Sequence, residues 1–296
     1  MQKFNTLFKT SGLIFLASLC FNVSAKQIEK ARSIYRNVVI VEEDNIRCMQ
    51  FETRKRNATN QTCINLDDKN SLVFEYAKGT LAGLALNPTP QRVLILGLGG
   101  GTLSNVIHQI SPQSEIIAVD IDPVVKDMAI KYFDYQENDK VKTEVKDARV
   151  YVKRALVNQE KFDWIILDAF NGDYIPEHLM TQEFLKEVKS LLNNNGFITA
   201  NTFSSSELYH YESATYQSVF GKLLTYKTPA KGNRLIFACN CHNLEFPANI
   251  NPQLNNQLSQ YSVNYNLILQ NITDKIDWDQ NSEILTDQYS PANLLK

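Results

Sequence analysis

The chain of 296 residues has no lysine- or arginine-rich run, and its formal net charge is only −2. A mildly acidic chain without a basic stripe lacks the electrostatic footprint of a nucleic-acid binder. No apolar segment reaches the ~20 residues that a bilayer span requires. No internal repeat occurs, which removes solenoids and propellers from consideration. Cysteine is scarce, at five residues, and no C-x-x-C pair is present, so a four-thiolate zinc site has little support. What remains is ordinary globular composition, 44% hydrophobic and 21% charged. It is enough for one large domain with a small appendage.

The first 25 residues read as a processing signal. Lys3 and Lys9 form a positive start, residues 12–21 are apolar, and Val23-Ser24-Ala25 is a small-residue cleavage site. The expectation is an exported protein, periplasmic or secreted, cleaved after Ala25, with no stable membrane span afterwards. Cleavage removes Cys20. Cys48, Cys63, Cys239 and Cys241 remain, an even count that fits disulfides outside the cytoplasm. Of the three pairings, the favoured bridge is Cys48–Cys63. Cys239 and Cys241 lie two apart in an apparent strand and share a face, where a direct bridge would be strained.

The chain is organised around residues 92–122. A short branched apolar run, Val93 to Leu96, reads as a buried strand. Gly97, Gly99, Gly100 and Gly101 break it. A helix follows, with Leu103, Val106, Ile107 and Ile110 on one face. A second apolar run ends in Asp120. Glycine lets backbone approach a ligand closely, and the following helix offers free N–H groups. A carboxylate at the end of the second strand can hold a ribose through its hydroxyls. The unit therefore predicts a nucleoside site with Asp120 on the sugar. The dinucleotide pattern G-x-G-x-x-G/A fits less well, because Thr102 stands at its last position.

Strands are expected over residues 34–41, 46–51 and 64–66, then a helix over 71–86. From residue 92 strands and helices alternate. Helices are expected over 123–133, 148–156, 181–192 (capped at Asn195-Gly196) and 207–220. Strands are expected over 141–145, 162–167 and 196–201, with a final hairpin of 223–228 and 234–239. The tail should form one helix over 254–269, and residues 284–295 should pack back on the core. This alternation predicts an α/β fold with a mostly parallel sheet covered on both faces. The division is 26–87 as a β-rich module, 88–245 as a Rossmann-like nucleoside-binding domain and 246–296 as a C-terminal extension.

Ligands of open α/β sheets bind beyond the carboxyl ends of the strands. Asp120, Asp147 and Asp168 fall there, and Asp173 follows closely. Asp147, with Ala148 beside it, is suited to an adenine amino group. Asp168 stands where a carboxylate could orient an amine, stabilise a sulfonium or accept a proton.

Taken together, the run from Val93 to Leu103, the Asp120-Ile121-Asp122-Pro123 turn, Lys146-Asp147-Ala148 and Asp163 to Asp168 resemble the spermidine synthase (polyamine aminopropyltransferase) family, in particular its spermidine-synthase-like bacterial branch. The resemblance runs from about residue 33 to the C-terminus. It implies a methyltransferase-like Rossmann domain, with a mostly parallel sheet and an antiparallel last strand, behind a small N-terminal β-domain. It implies decarboxylated S-adenosylmethionine as co-substrate, no tightly bound cofactor and no metal. Gly97, Gly99, Gly100, Gly101, Asp120, Ile121, Asp147 and Ala148 would hold the nucleoside. Asp168 would position and deprotonate the attacking amine, with Tyr76 and Asp173 on the amine side. A homodimer is a family-level expectation. The segment Glu75-Tyr76-Ala77-Lys78 departs from the family's Tyr-His-Glu, and Lys78 would bring a positive charge toward a cationic amine. Two other readings of the same residues stay open. One is a methyltransferase that uses S-adenosylmethionine itself, and the other is a non-catalytic exported binder of nucleosides or polyamines.

Overall fold

The computed structural model describes residues 25–52, 59–170, 174–229 and 232–291. The expected signal segment lies outside these residues, apart from Ala25. The first layer is a four-stranded antiparallel sheet in the order β1-β2-β3-β4. Its strands are β1 (Lys26–Arg32), β2 (Asn37–Glu43), β3 (Ile46–Phe51) and β4 (Thr59–Asn65). Asp44 and Asn45 both have positive φ, at 48° and 60°, and Glu43 pairs with Ile46 across them. This is a tight two-residue hairpin whose backbone twist matches that of the strands. β1 was not expected from the sequence. Its residues are mostly polar and exposed, so edge pairing to β2, rather than an apolar pattern, makes it a strand.

The chain then enters α1 (Glu75–Leu81), which runs into a short 3₁₀ turn, Ala82–Ala85. The helix is shorter than the 71–86 expected, because Phe74 is its N-cap. The main layer follows: β5 (Arg92–Leu96), α2 (Thr102–Ile110), β6 (Glu115–Asp120), α3 (Pro123–Tyr132), β7 (Val141–Val145), α4 (Ala148–Val157), β8 (Phe162–Leu167), α5 (Gln182–Ser190), β9 (Leu192–Phe203), α6 (Tyr209–Phe220), β10 (Leu224–Lys227), β11 (Asn233–Cys239), α7 (Pro252–Gln260), α8 (Tyr265–Asn271) and β12 (Ile272–Thr273). The sheet order is β12-β10-β11-β9-β8-β5-β6-β7. Strands β9, β8, β5, β6 and β7 are parallel, and β11, β10 and β12 close the sheet antiparallel.

Alternation along the central strands feeds two cores. Val93, Ile95, Trp164 and Ile166 join the cluster under α1, α2, α7 and α8. Leu94, Leu96, Ile165 and Leu167 join the cluster under α4, α5 and α6. A third cluster ties the N-terminal sheet to α3 through Val38, Ile40, Met49, Val125 and Phe133. Among the described residues, no helix is long and apolar enough to cross a membrane.

Some expectations need correction. The helix expected over 181–192 stops at Ser190, because Leu192 pairs with Phe162 and starts β9. Asn195 and Gly196 therefore form a bend inside β9 rather than a helix cap, held by reciprocal backbone bonds to Asn240. The helix expected over 254–269 is two helices. Ser262 has positive φ, which ends the first, and Asn264 caps the second by accepting from Leu267 N. The tail does return to the core: Leu285 is fully buried, and Arg149 donates to both carboxylate oxygens of Asp287 at 2.6 and 2.8 Å.

Both cysteine pairs lie at disulfide distance. Cys48 and Cys63 face each other in the β3–β4 ladder with Cα atoms 4.1 Å apart. Cys239 and Cys241 are also bridged, against expectation. β11 ends at Cys239 and the chain bends at Asn240. Their Cα atoms are thus 5.2 Å apart, shorter than the about 6.7 Å of an extended strand. The Cys48–Cys63 bridge closes a span of 15 residues. Loop-closure entropy puts its contribution at about 3 kcal/mol. Cys48→Ser combined with Cys63→Ser should lower the urea-unfolding free energy by about that amount. An unchanged midpoint would show that the unfolded chain gains little freedom when the bridge is removed.

Candidate active site

The site forms where the sheet changes direction. The connection leaving β5 runs through α2 to β6 on one side, and β8 leads to β9 on the other. A crevice must open at the carboxyl ends of β5 and β8. Two backbone bonds clamp its floor, Gly97 N to Val119 O and Asp168 N to Leu96 O, both 2.8 Å. Gly97 has φ of 108°, and a Cβ on it would stand 2.2 Å from the Asp168 carbonyl oxygen. Only glycine allows the two loops to approach this closely.

The glycine turn leads directly into α2, so that N-terminus faces the crevice. Thr62 of β4 packs against Gly100, which brings the N-terminal sheet over the opening. Together they enclose a cavity of about 260 Å³. Gly97, Gly99, Gly100, Asp120, Ile121, Asp147, Ala148, Asp168 and Tyr76 all line it. Gly101 does not line it. It starts α2 in the left-handed region, packed against the Tyr135 ring. Asp173 lies outside the described residues. Lys78 pairs with Glu75 at 2.7 Å and does not line the cavity, so its charge is not brought to the amine position.

Each carboxylate is held differently. Asp120 accepts from the backbone N–H of Leu98 and of Asp122, each at 3.0 Å. Burial raises its carboxyl above the usual range, and these N–H groups oppose the rise. Asp147 caps α4 by accepting from Val150 N at 3.0 Å, and its other oxygen meets His178 Nε2 at 3.0 Å.

Among the described residues, no cation is bonded to Asp168. Its Oδ1 accepts from Asn201 Nδ2 at 2.9 Å, and its Oδ2 accepts from the Tyr76 hydroxyl at 3.3 Å. Burial pushes its carboxyl up to about 7, against the pull of these two donors. The Tyr76 hydroxyl is raised well above its ordinary value by burial and by the neighbouring carboxylate, so it remains a donor. Asn201 accepts in turn from Asn233 Nδ2 at 2.9 Å, which orients its amide. A carboxylate poised near neutrality at the mouth of a nucleoside cleft can exchange a proton with an amine.

Sequence reasoning missed Asn201, Asn233 and His178. Asn201 had a signal, a polar side chain inside the apolar run of β9, where a buried amide needs a partner. His178 had none, because its position depends on how the loop after β8 folds back to α4.

Comparison with known proteins agrees with this geometry. Residues 74–231 match the spermine/spermidine synthase domain. A polyamine aminopropyltransferase of Vibrio vulnificus is 43% identical over 273 residues, covering 91% of each chain. Among solved structures, a probable spermidine synthase from Corynebacterium glutamicum superposes with a TM-score of 0.62 at 21% identity, covering 79% of this chain and 88% of that one. Human methyltransferase-like protein 13, in complex with SAH, superposes with a TM-score of 0.54 at 26% identity, over 75% of this chain and all of that one. With the domain matched across both the glycine turn and the Asp168 strand end, and with 43% identity to an aminopropyltransferase over 91% of each chain, the chain belongs to the spermine/spermidine synthase family.

Proposed function

We propose that the protein transfers the aminopropyl group of decarboxylated S-adenosylmethionine to an amine. The observation that carries this reading is Asp168, a raised carboxyl held by Tyr76 and Asn201 in the cavity that Asp120 and the glycine turn also line. In the step, the amine lone pair attacks the propyl carbon bonded to the sulfonium. The carbon–sulfur bond breaks, and its electron pair neutralises the sulfur of departing methylthioadenosine. The proton shed by the attacking amine goes to Asp168. An ammonium cannot attack, so the carboxylate both orients the amine and removes its proton. Holding both reactants in line supplies much of the remaining acceleration.

The direct test is release of methylthioadenosine from the decarboxylated donor in the presence of diamines. A methyltransferase reading has support from the neighbour bound to SAH. It predicts S-adenosylhomocysteine from S-adenosylmethionine instead, and the identity of the product decides.

The base assignment sets the pH profile. Asp168 accepts a proton only when ionised, and its carboxyl sits at about 7. Below that value kcat/KM should fall by about tenfold per pH unit, with an acidic limb near neutrality rather than near pH 4. A profile flat down to about pH 5 would remove Asp168 as the base.

We also propose that the protein works outside the cytoplasm, as a homodimer. Export is supported by the charged, apolar and small-residue order of the first 25 residues and by the two bridged cysteine pairs. N-terminal mass analysis of protein recovered from the periplasm should show a chain that begins at Lys26. Sedimentation equilibrium should give twice the chain mass.

A further inference from the structure

A second hydrogen bond stands behind the one from Asn201 to Asp168. β9 and β11 run antiparallel, with Asn201 opposite Leu235 and Phe203 opposite Asn233. Asn201 and Asn233 are therefore diagonal neighbours on one face of the sheet, within reach of each other. The next residue, Arg234, points to the other face, toward Ser213 and Glu212 of α6. Asn201 is buried, and its amide has two orientations. With Nδ2 toward Asp168 it donates to the carboxylate, at 2.9 Å. With Oδ1 there, it would set an acceptor against an acceptor and leave Asp168 without that donor. Asn233 Nδ2 donates to Asn201 Oδ1 at 2.9 Å, which selects the first orientation. Neither amide lines the cavity, and Asn233 reaches the reaction through Asn201.

We propose that Asn233 is a positioning residue for proton transfer: by fixing the Asn201 amide it keeps a donor on Asp168, and so keeps that carboxylate ready to take the proton of the amine. A donor to the ionised form favours that form, against the burial that opposes it. Tyr76 on α1 supplies the other donor. Tyr35, Arg36, Asp120, Asp122, Asp147 and His178 are the further titratable side chains on the cavity wall among the described residues. All of them are unchanged in the variants below, so a shift between proteins reports the relay. This inference rests on the reading of Asp168 as the base.

The test is the pH profile of kcat/KM for methylthioadenosine release, with one diamine throughout, for wild type, Asn233→Leu, Asn233→Ala and Asn233→Gln. Leucine matches the shape of asparagine but cannot donate, and alanine serves if the leucine variant does not fold. In both, the acidic limb should move up by about one pH unit, the scale of one hydrogen bond to an ionised carboxyl. At about pH 6 kcat/KM should then fall about tenfold below wild type, and at about pH 9 by less than about threefold. Asn233→Gln keeps an amide donor and should hold the limb near its wild-type position. In an Asn201→Ala background, Asn233→Ala should move the limb no further, because the link to Asp168 is gone. A merely structural role would lower kcat/KM by the same factor at every pH, and that result in a folded variant overturns the inference. An equal shift with and without Asn201 overturns it as well. Both results leave the base assignment intact, because the wild-type limb still lies near neutrality. A wild-type profile without that limb removes Asp168 as the base, and this inference with it.

Discussion

Asp168→Asn should lower kcat by about 10²- to 10⁴-fold while the protein still folds and still binds methylthioadenosine. The substitution keeps the volume and the acceptor oxygen, so Asn201 can still donate at that position. It removes the proton acceptor, and among the described residues no other carboxylate touches this point. Asp120 is engaged by the Leu98 and Asp122 N–H groups, and Asp147 by Val150 and His178. Tyr76 cannot substitute as a base, because its hydroxyl is pushed well above its ordinary value. The effect should fall on kcat more than on the nucleoside affinity, since Asp120 and Asp147, the residues proposed to hold the nucleoside, lie at the ends of other strands. Quantifying methylthioadenosine release under single-turnover conditions measures the chemical step alone. Wild-type turnover by the variant would remove Asp168 from the chemistry.

The largest effect on stability should come from a residue that does not line the cavity. Arg234 on β11 is fully buried, and Glu212 on α6 is nearly so. The guanidinium lies 4.0 Å over the Tyr209 ring and donates to Thr202 at 2.9 Å and Ser213 at 2.6 Å. Its remaining nitrogen stands 3.6 Å from the Glu212 carboxylate, and neither of those two atoms has another partner. Arg234→Ala should cost about 3–5 kcal/mol, because it leaves Glu212 buried without its cation. Arg234→Met combined with Glu212→Leu should recover most of that loss, since an apolar pair of similar volume carries no desolvation penalty.

The pH dependence has a definite sign. Burial raises the Glu212 carboxyl to about 7 even with Arg234 opposing. Between the ordinary carboxylate range and 7 the folded state holds a proton that the unfolded chain has released, so stability falls as pH rises. Without Arg234 the carboxyl rises further, so this fall continues to higher pH. The deficit of Arg234→Ala should therefore be larger at about pH 9 than at about pH 6, read by urea unfolding at both values. A deficit independent of pH would place the loss in packing against Tyr209 rather than in charge.

Much of this was legible in the sequence because it is encoded locally. The run from Val93 to Asp122 carries its own strand, turn, helix and strand. Branched apolar residues must be buried, four glycines cannot continue a strand, and an acidic residue closes the second strand. Alternating apolar residues on β5 and β8 required cover on both faces, and the helices supply it. The Cys48–Cys63 bridge was expected as the closure of a short N-terminal loop, and the β3–β4 ladder sets the two residues face to face.

Other features had no local cause. β1 is a strand because β2 offers it an edge, although its own residues are polar. Ser190 ends α5 because the parallel pairing of β9 with β8 begins two residues later. Cys239 and Cys241 meet because the chain turns where the sheet ends. The chemistry divides in the same way. From the residues alone came the glycine turn and the expectation that Asp120, Asp147 and Asp168 stand at strand ends, and all three line the cavity. Folding alone brings Tyr76 and Asn201 to Asp168, 92 and 33 residues away along the chain. The same is true of the placement of His178 against Asp147. The physical reason is that a glycine turn and a strand end are set by bonds between near neighbours. The level of a carboxyl is set by the donors and the burial that distant segments bring to it.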